Sequence, residues 1–287
     1  MVPALNEGAY LRSTVAGLIR TVPPSSEIIV VDDGSTDGSS DGLETEALDG
    51  GPRLRILRGP RQGAAGARNH GASAARGDIL VFADAHLDLP GGWYEPLAAE
   101  FDDPEVGAVG PVIEVMGRPD CRGYGMYWAN AGFDIQWFGA SDPSPHEAPL
   151  LCGCCVAVRR DDFMRSGGFD AGLIRWGMED AELSLRLWLL GRRLVVHPSV
   201  VVGHLFRTKH PYEIDYVDVV HNMLRTALIH FSGERLTRVI ETLKRYGAFS
   251  AALSRAADSD VMERRAALAA QRVRSDDWFF ERFDEIL

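Results

Sequence analysis

The apolar positions of this chain gather into short unbroken runs separated by stretches of helical spacing. Glu27-Ile28-Ile29-Val30-Val31, Ile79-Leu80-Val81-Phe82-Ala83, Val106 to Ile113 and Leu150 to Val158 are such runs, and Leu54-Arg55-Ile56-Leu57 is a shorter one. Runs of this length, bounded by turn residues, predict strands buried on both faces. Between Tyr10 and Arg20 the apolar residues Tyr10, Leu11, Val15, Leu18 and Ile19 repeat with helical spacing, and Pro23-Pro24 closes the segment. Gly63 to Ala75 is an Ala- and Gly-rich helix suited to close packing on a sheet. Trp93 to Phe101 predicts another helix. Asp161-Asp162 starts one that ends at Gly167-Gly168, and Met178 to Leu190 is one with acids in its first turn and Gly191 as its stop. Strands and helices alternating through short connections predict an α/β fold, a Rossmann-like, doubly wound, mostly parallel sheet flanked by helices. Leu194–Val196 and Val200–Val202 predict two further short strands.

Three stretches depart from this rhythm. Pro3-Ala4-Leu5-Asn6-Glu7-Gly8 reads as the loop after a strand, with almost no strand before it. Cys121 to His146 is aromatic, Gly-rich and irregular. A loop of that length is expected to cover or line a site. From about Asp215 onward the pattern is helical and ends in Trp278-Phe279-Phe280 and Phe283, an aromatic cluster expected to dock on the body. The expected division is an α/β domain over residues 1–214 and a helical C-terminal extension over 215–287 packed on it.

Composition narrows the classes. The 287 residues are 46% hydrophobic and 25% charged, as in ordinary globular proteins, and the formal net charge of -11 argues against a nucleic-acid partner. A small anionic ligand stays open, since one local cation or arginine can dominate a site. Three of the four cysteines stand as Cys152-Gly153-Cys154-Cys155, which is not zinc spacing, and they read as small buried residues of a reduced protein. No apolar stretch reaches the roughly 18–20 residues of a transmembrane helix. With no signal-peptide pattern at the start, the expected location is cytoplasmic.

The candidate chemistry lies at strand ends. Asp84 and His86 follow the Ile79–Ala83 strand and alternate with Ala85, so both point to one side in extended geometry. In open α/β sheets ligands bind at the carboxyl ends of strands. An oxygen and a nitrogen ligand there suit a divalent cation, which would suit a diphosphate, although a strand ending in a polar turn explains these residues equally well taken alone. Asp32-Asp33 ends a second strand and His204 a third, and this convergence favours a site. Glu179-Asp180 opens a helix, where acids also serve simply to complement the dipole.

These segments resemble the nucleotide-sugar glycosyltransferases of the GT-A fold. Pro3-Ala4-Leu5-Asn6-Glu7 and Val31-Asp32-Asp33-Gly34-Ser35-Thr36-Asp37 resemble glycosyltransferase family 2. Gly92-Trp93-Tyr94-Glu95-Pro96-Leu97, Asp84-Ala85-His86, Trp176-Gly177-Met178-Glu179, Gly203-His204-Leu205-Phe206-Arg207 and His210-Pro211-Tyr212 look like polypeptide N-acetylgalactosaminyltransferases. The resemblance covers about residues 2 to 230. It implies a UDP-sugar donor held near Pro3, Ala4, Asn6, Glu7, Asp33, Arg68 and Asp84, with Asp33 accepting from the uracil. It further implies Mn²⁺ (or Mg²⁺) on Asp84, His86 and His204, and Arg207 as a second positive charge on the diphosphate. His210 and Tyr212 would sit on a closing loop, Trp176 would wall the sugar pocket, and Gly153 would leave room for the sugar ring. The polypeptide-modifying enzymes carry Asn after the Glu of Trp-Gly-x-Glu and retain anomeric configuration, whereas this chain has Asp180. A carboxylate can take an acceptor proton where an amide cannot. Inverting transfer with Asp180 as general base, beside Glu179, is therefore expected, with retaining N-acetylgalactosaminyl transfer or a non-catalytic nucleotide-sugar-binding protein as the alternatives. A nucleotidyltransferase is disfavoured, because residues 2 to 8 hold no Lys or Arg. The acceptor (a peptide, a small natural product or a glycan) is not named by the sequence.

Overall fold

The structure, a computed structural model, describes residues 1–46, 49–140 and 143–283. Its first layer is a parallel sheet of β1 (Val2–Ala4), β2 (Glu27–Asp32) and β3 (Arg53–Arg58) in the order β1-β2-β3. Helix α1 (Ala9–Thr21) crosses from β1 to β2 with Leu11, Val15, Leu18 and Ile19 buried, and α2 (Gly63–Ala74) follows β3. Pro3 and Ala4 therefore lie in a strand and not in a loop. Three residues suffice because β1 is flanked on both sides, pairing with Val30–Asp32 and taking the Ala83 amide on Met1 O.

That amide links β1 to β4 (Ile79–Ala83), the first strand of a larger mixed sheet. Next come β5 (Leu87–Asp88), α3 (Tyr94–Ala99), β6 (Val106–Val115) and β7 (Arg118–Gly123). The aromatic segment expected to be irregular instead folds into β8 (Met126–Trp128), β9 (Ile135–Trp137) and β10 (His146–Glu147), with β8 and β9 a hairpin of their own. Alternation of side chains over short spans hid these strands among glycines. Then come β11 (Cys155–Arg159), α4 (Arg160–Arg165), α5 (Glu179–Leu189) and β12 (Arg193–His204). The main path is β10-β12-β6-β11-β4. β12 runs parallel to β6, whereas β11 is antiparallel to both β4 and β6. The expected pair of short strands near residue 200 is one strand, whose register slips between His197 and Val201. Pro198 sits in that slip, where it owes the ladder no amide donor.

The tail is helical as expected: α6 (Tyr216–His230), α7 (Gly233–Leu243), α8 (Phe249–Ala257), α9 (Val261–Ala269) and α10 (Asp276–Phe283), with residues 284–287 of the expected extension outside the described residues. Its terminal aromatics do dock on the body. Phe280 stacks on Trp128 and packs edge-on against Phe231, and Trp188 meets Trp278 and Phe283. Each such ring buried fully contributes about 1.5–3 kcal/mol. A buried polar knot ties α5 to α6: Arg186 donates to Glu182 and to the carbonyls of Ser166 and Gly168, and Glu182 accepts from His230. Taking charges out of water demands such complete pairing, and the result is a fixed seat for the helix whose first turn carries Glu179 and Asp180.

Candidate active site

Asp84 and His86 leave β4 together, and His204 ends β12. The two ends meet because β5, which begins at Leu87, pairs antiparallel with the last residues of β12, Leu87 opposite His204. The rings of His86 and His204 lie 4.9 Å apart, and one ligand atom from each of Asp84, His86 and His204 falls within 4.8 Å of the others. His204 is buried, and neither of its ring nitrogens has a hydrogen-bond partner. Its Nε2 stands 3.4 Å from Asp84 Oδ2. Two orphaned nitrogens beside a carboxylate are costly unless something electrophilic joins them. His86 Nδ1 lies 3.1 Å from Glu7 Oε2. An ionised carboxylate only accepts, so Nδ1 is the donor in this contact, as in a metal-binding imidazole held by a carboxylate. The donor set fits a divalent cation of the manganese type, for which mixed imidazole and carboxylate ligands are suitable.

Arg68, from α2, is the hinge between this cluster and the acidic helix start. It is buried, donates 2.8 Å to Asp84 Oδ1, 2.9 Å to Glu179 Oε1 and 3.2 Å to Gly153 O. Glu179 Oε2 accepts from the Gly177 amide at 2.8 Å. Both Glu179 oxygens are thus engaged, and its contacts are those of a group that fixes the turn. Asp180 is half-buried; its Oδ2 accepts from Gly153 N–H at 2.9 Å and its Oδ1 from Ala181 N–H at 2.8 Å. Burial first, and the neighbouring Glu179 charge second, push the Asp180 carboxyl up to about 6. A Cβ on Gly153 would lie 2.8 Å from Asp180 Cβ, so the space that this glycine leaves is filled by Asp180.

These groups line one cavity of about 760 Å³, together with Pro3, Ala4, Glu7, Asp33, Trp176, Arg207, His210 and Tyr212. Asn6 is absent from that lining. Its backbone is left-handed, its side chain accepts from Thr36 N–H at 2.8 Å and its amide donates to Ser35 Oγ, which staples the loop after β1 to the loop after β2. Asp33 accepts from the amides of Gln62 and Gly63, both at 2.8 Å, and so caps α2, while burial raises its carboxyl. Arg207 donates 2.5 Å to Glu7 and lies over the Tyr10 ring. Trp176 packs against His210, which in turn meets Tyr212, whose hydroxyl is raised by burial.

The lining also includes residues that the sequence reading passed over, Arg61, Gln62 and Arg175, and it takes in the cysteine neighbours of Gly153, Cys152 and Cys154. Arg61 follows β3 at the same sheet edge as Asp33, and that position was the available signal. Another missed residue is Asn222, fully buried on α6, which accepts from Ile174 N–H and donates to the carbonyls of Ile174, Trp176 and Gly177. Arg175, Gly177 and Met178 all have positive φ, so this turn is strained, and the helical tail holds it in place.

Comparison with solved structures assigns the fold. Across 99% of this chain it matches 55% of a GalNAc-T7 chain crystallised with UDP, GalNAc and Mn²⁺, with a TM-score of 0.79 at 23% identity. A mannosyltransferase from Pyrobaculum calidifontis in complex with GDP-Man and Mn²⁺ matches over 94% of this chain and 72% of its own, with a TM-score of 0.55 at 20% identity. The fold is that of the GT-A class. The chain belongs to glycosyl transferase family 2, whose family model matches residues 1–167. A second model, described as the N-terminal domain of galactosyltransferase, matches residues 143–211. Among curated proteins, polypeptide N-acetylgalactosaminyltransferase 10 of Rattus norvegicus is 33% identical over 249 residues, 79% of this chain and 41% of its own length. Polypeptide N-acetylgalactosaminyltransferase 11 of Xenopus tropicalis is 30% identical over 300 residues, 95% of this chain and 47% of its own. The chain thus spans less than half the length of these relatives. No helix among the described residues is long and apolar enough to cross a membrane.

Proposed function

We propose that this protein is a metal-dependent glycosyltransferase that moves a sugar from a UDP-sugar to an acceptor nucleophile, with inversion and with Asp180 as general base. The observation that carries this reading is the gathering of Asp84, His86, His204 and Asp180 around one cavity. Asp84, His86 and His204 are the residues that would hold Mn²⁺, and a cation bound there supplies Lewis-acid stabilisation of a leaving diphosphate. Glu7 keeps His86 oriented, and Arg68 keeps Asp84 and Glu179 in place. Asp33, Arg61 and Arg207 stand where a nucleotide would meet an acceptor group and two cations. Trp176, His210 and Tyr212 exclude water from the bound donor. Gly153 lets Asp180 approach the sugar from the cavity wall. The names of the relatives make N-acetylgalactosamine and a peptide hydroxyl the first donor and acceptor to try.

A general base works in its ionised form. With the carboxyl raised to about 6, the rate rises with pH up to that region and is flat above it, and a bound cation moves the rise to lower pH. The test is UDP release from a panel of UDP-sugars with Mn²⁺ or with EDTA, for the wild type and for Asp180→Asn. Release with Mn²⁺ alone, and an Asn variant that binds UDP but transfers at least about 100-fold more slowly, agree with the proposal. An unresponsive panel refutes the enzyme reading, and a fully active Asn variant refutes the base. Retaining transfer, as the resemblance to polypeptide N-acetylgalactosaminyltransferases suggests, is the second reading, favoured by the relatives and not by any side chain.

A further inference from the structure

Two cysteines flank Gly153, the residue that holds Asp180. Cys152 and Cys154 bracket Gly153, and a turn over Gly153 and Cys154 brings their sulfurs to 3.2 Å. Both line the cavity, Cys152 half-buried and Cys154 only 4% exposed. All four cysteines are free, and Cys121 is exposed on β7, away from this pair. The short segment between the two thiols is also where the site is anchored. Gly153 N–H holds Asp180, Gly153 O takes Arg68, and Cys154 O accepts from the Asp84 amide at 2.8 Å.

We propose that Cys152 and Cys154 are a redox modification site, a thiol pair that a peroxide closes into a disulfide across Gly153, distorting the anchor of Asp180 and Arg68. Cys152, the more accessible sulfur, attacks the peroxide. An S–O bond forms, the O–O bond breaks, and the leaving oxygen departs as water (or an alcohol from an organic peroxide). The Cys152 sulfur is oxidised by two electrons to a sulfenic acid and the peroxide is reduced by two. Cys154 then attacks the Cys152 sulfur. The S–S bond forms, the S–O bond breaks, and water leaves with the Cys154 proton. The sulfurs close from 3.2 Å to about 2.0 Å, and the Gly153 peptide must follow. A disulfide of this kind is reversible by thiols, which suits a site and not a staple.

Peptide mapping of the whole chain after a hydrogen peroxide titration tests the site without reference to sugar transfer. The expected result is loss of two hydrogen masses in the peptide that spans Cys152 to Cys155, fragment ions linking Cys152 to Cys154, and full reversal by dithiothreitol. Cys154→Ser should instead leave a dimedone-reactive sulfenic acid on Cys152, and if that variant fails to fold, Cys152→Ser should show no linkage and an unmodified Cys154. Oxidation that stops at Cys152 with Cys154 still alkylated after unfolding, or a linkage through Cys155, overturns the proposal. Where UDP release is measurable, the oxidised protein should lose it and regain it with dithiothreitol. Cross-linking with no change in release overturns the link to Asp180 while leaving the transfer reading intact.

Discussion

Replacing Arg68 by Met isolates the clamp on which the acidic side of the site depends. The guanidinium makes two ion pairs, to Asp84 at 2.8 Å and to Glu179 at 2.9 Å. Glu179 is 8% exposed in its side chain and Asp84 22%, so water can partly rescue Asp84 but not Glu179. Removing one partner of a buried pair costs about 3–5 kcal/mol, chiefly as the penalty on the charge left behind. Met fills much of the volume, so cavity formation adds little, and about 3 kcal/mol is expected, most of it from Glu179. In a chain of this size each kcal/mol moves Tm by roughly 1.7 °C, giving a fall of about 5 °C. Thermal and urea unfolding in EDTA, at neutral pH, measure it. Adding Glu179→Gln to the Met variant should return part of the loss, because an amide is cheaper to bury than a carboxylate. A Tm within a degree of wild type, or a double variant no better than the single, would refute the view that Arg68 neutralises buried charge.

Other expectations follow from single contacts. His204→Ala removes a buried imidazole of the proposed cation site, and since even the outer partners of metal ligands are worth roughly 10–100-fold in affinity, Mn²⁺ binding by calorimetry should weaken at least about 100-fold while the fold persists. Gly153→Ala puts a methyl 2.8 Å from Asp180 Cβ. Displacement of Asp180 should lower transfer by up to about 100-fold with UDP affinity nearly unchanged, and equal losses in both would contradict the geometry. Asn222→Leu leaves the carbonyls of Trp176 and Gly177 without their donor and the Ile174 amide without its acceptor, at about 1–3 kcal/mol for each that stays buried, and faster hydrogen exchange at 174–178 should report it.

The strands around Val30 and Phe82 and the gathering of Asp84, His86 and His204 were legible because each is a local signal. A buried strand reads as an apolar run, and chelating residues stand at its end. The role of Arg68 was not legible in the same way. A lone arginine on an Ala-rich helix resembles a donor-binding cation, and only the fold shows it paired to Asp84 and Glu179. Gly153 was expected to make room for a sugar, but that space is filled by Asp180, a neighbour 27 positions away in the chain. The hairpin of β8 and β9 was hidden because three-residue strands carry too little periodicity to stand out. Asn222 illustrates a further limit: a polar residue in an apolar helix tail gives no hint that it binds a strained turn from another part of the chain.

The most direct measurement is a proton NMR time course of UDP-N-acetylgalactosamine with the protein, Mn²⁺ and a serine- and threonine-containing peptide, with EDTA added to each sample before its spectrum. The account predicts that the anomeric signal of the donor declines only in samples that received Mn²⁺ during the reaction, and that the new anomeric signal has β configuration. A donor signal that persists with Mn²⁺, across this and the other UDP-sugars, would contradict the central claim, and an α product would contradict Asp180 as the base.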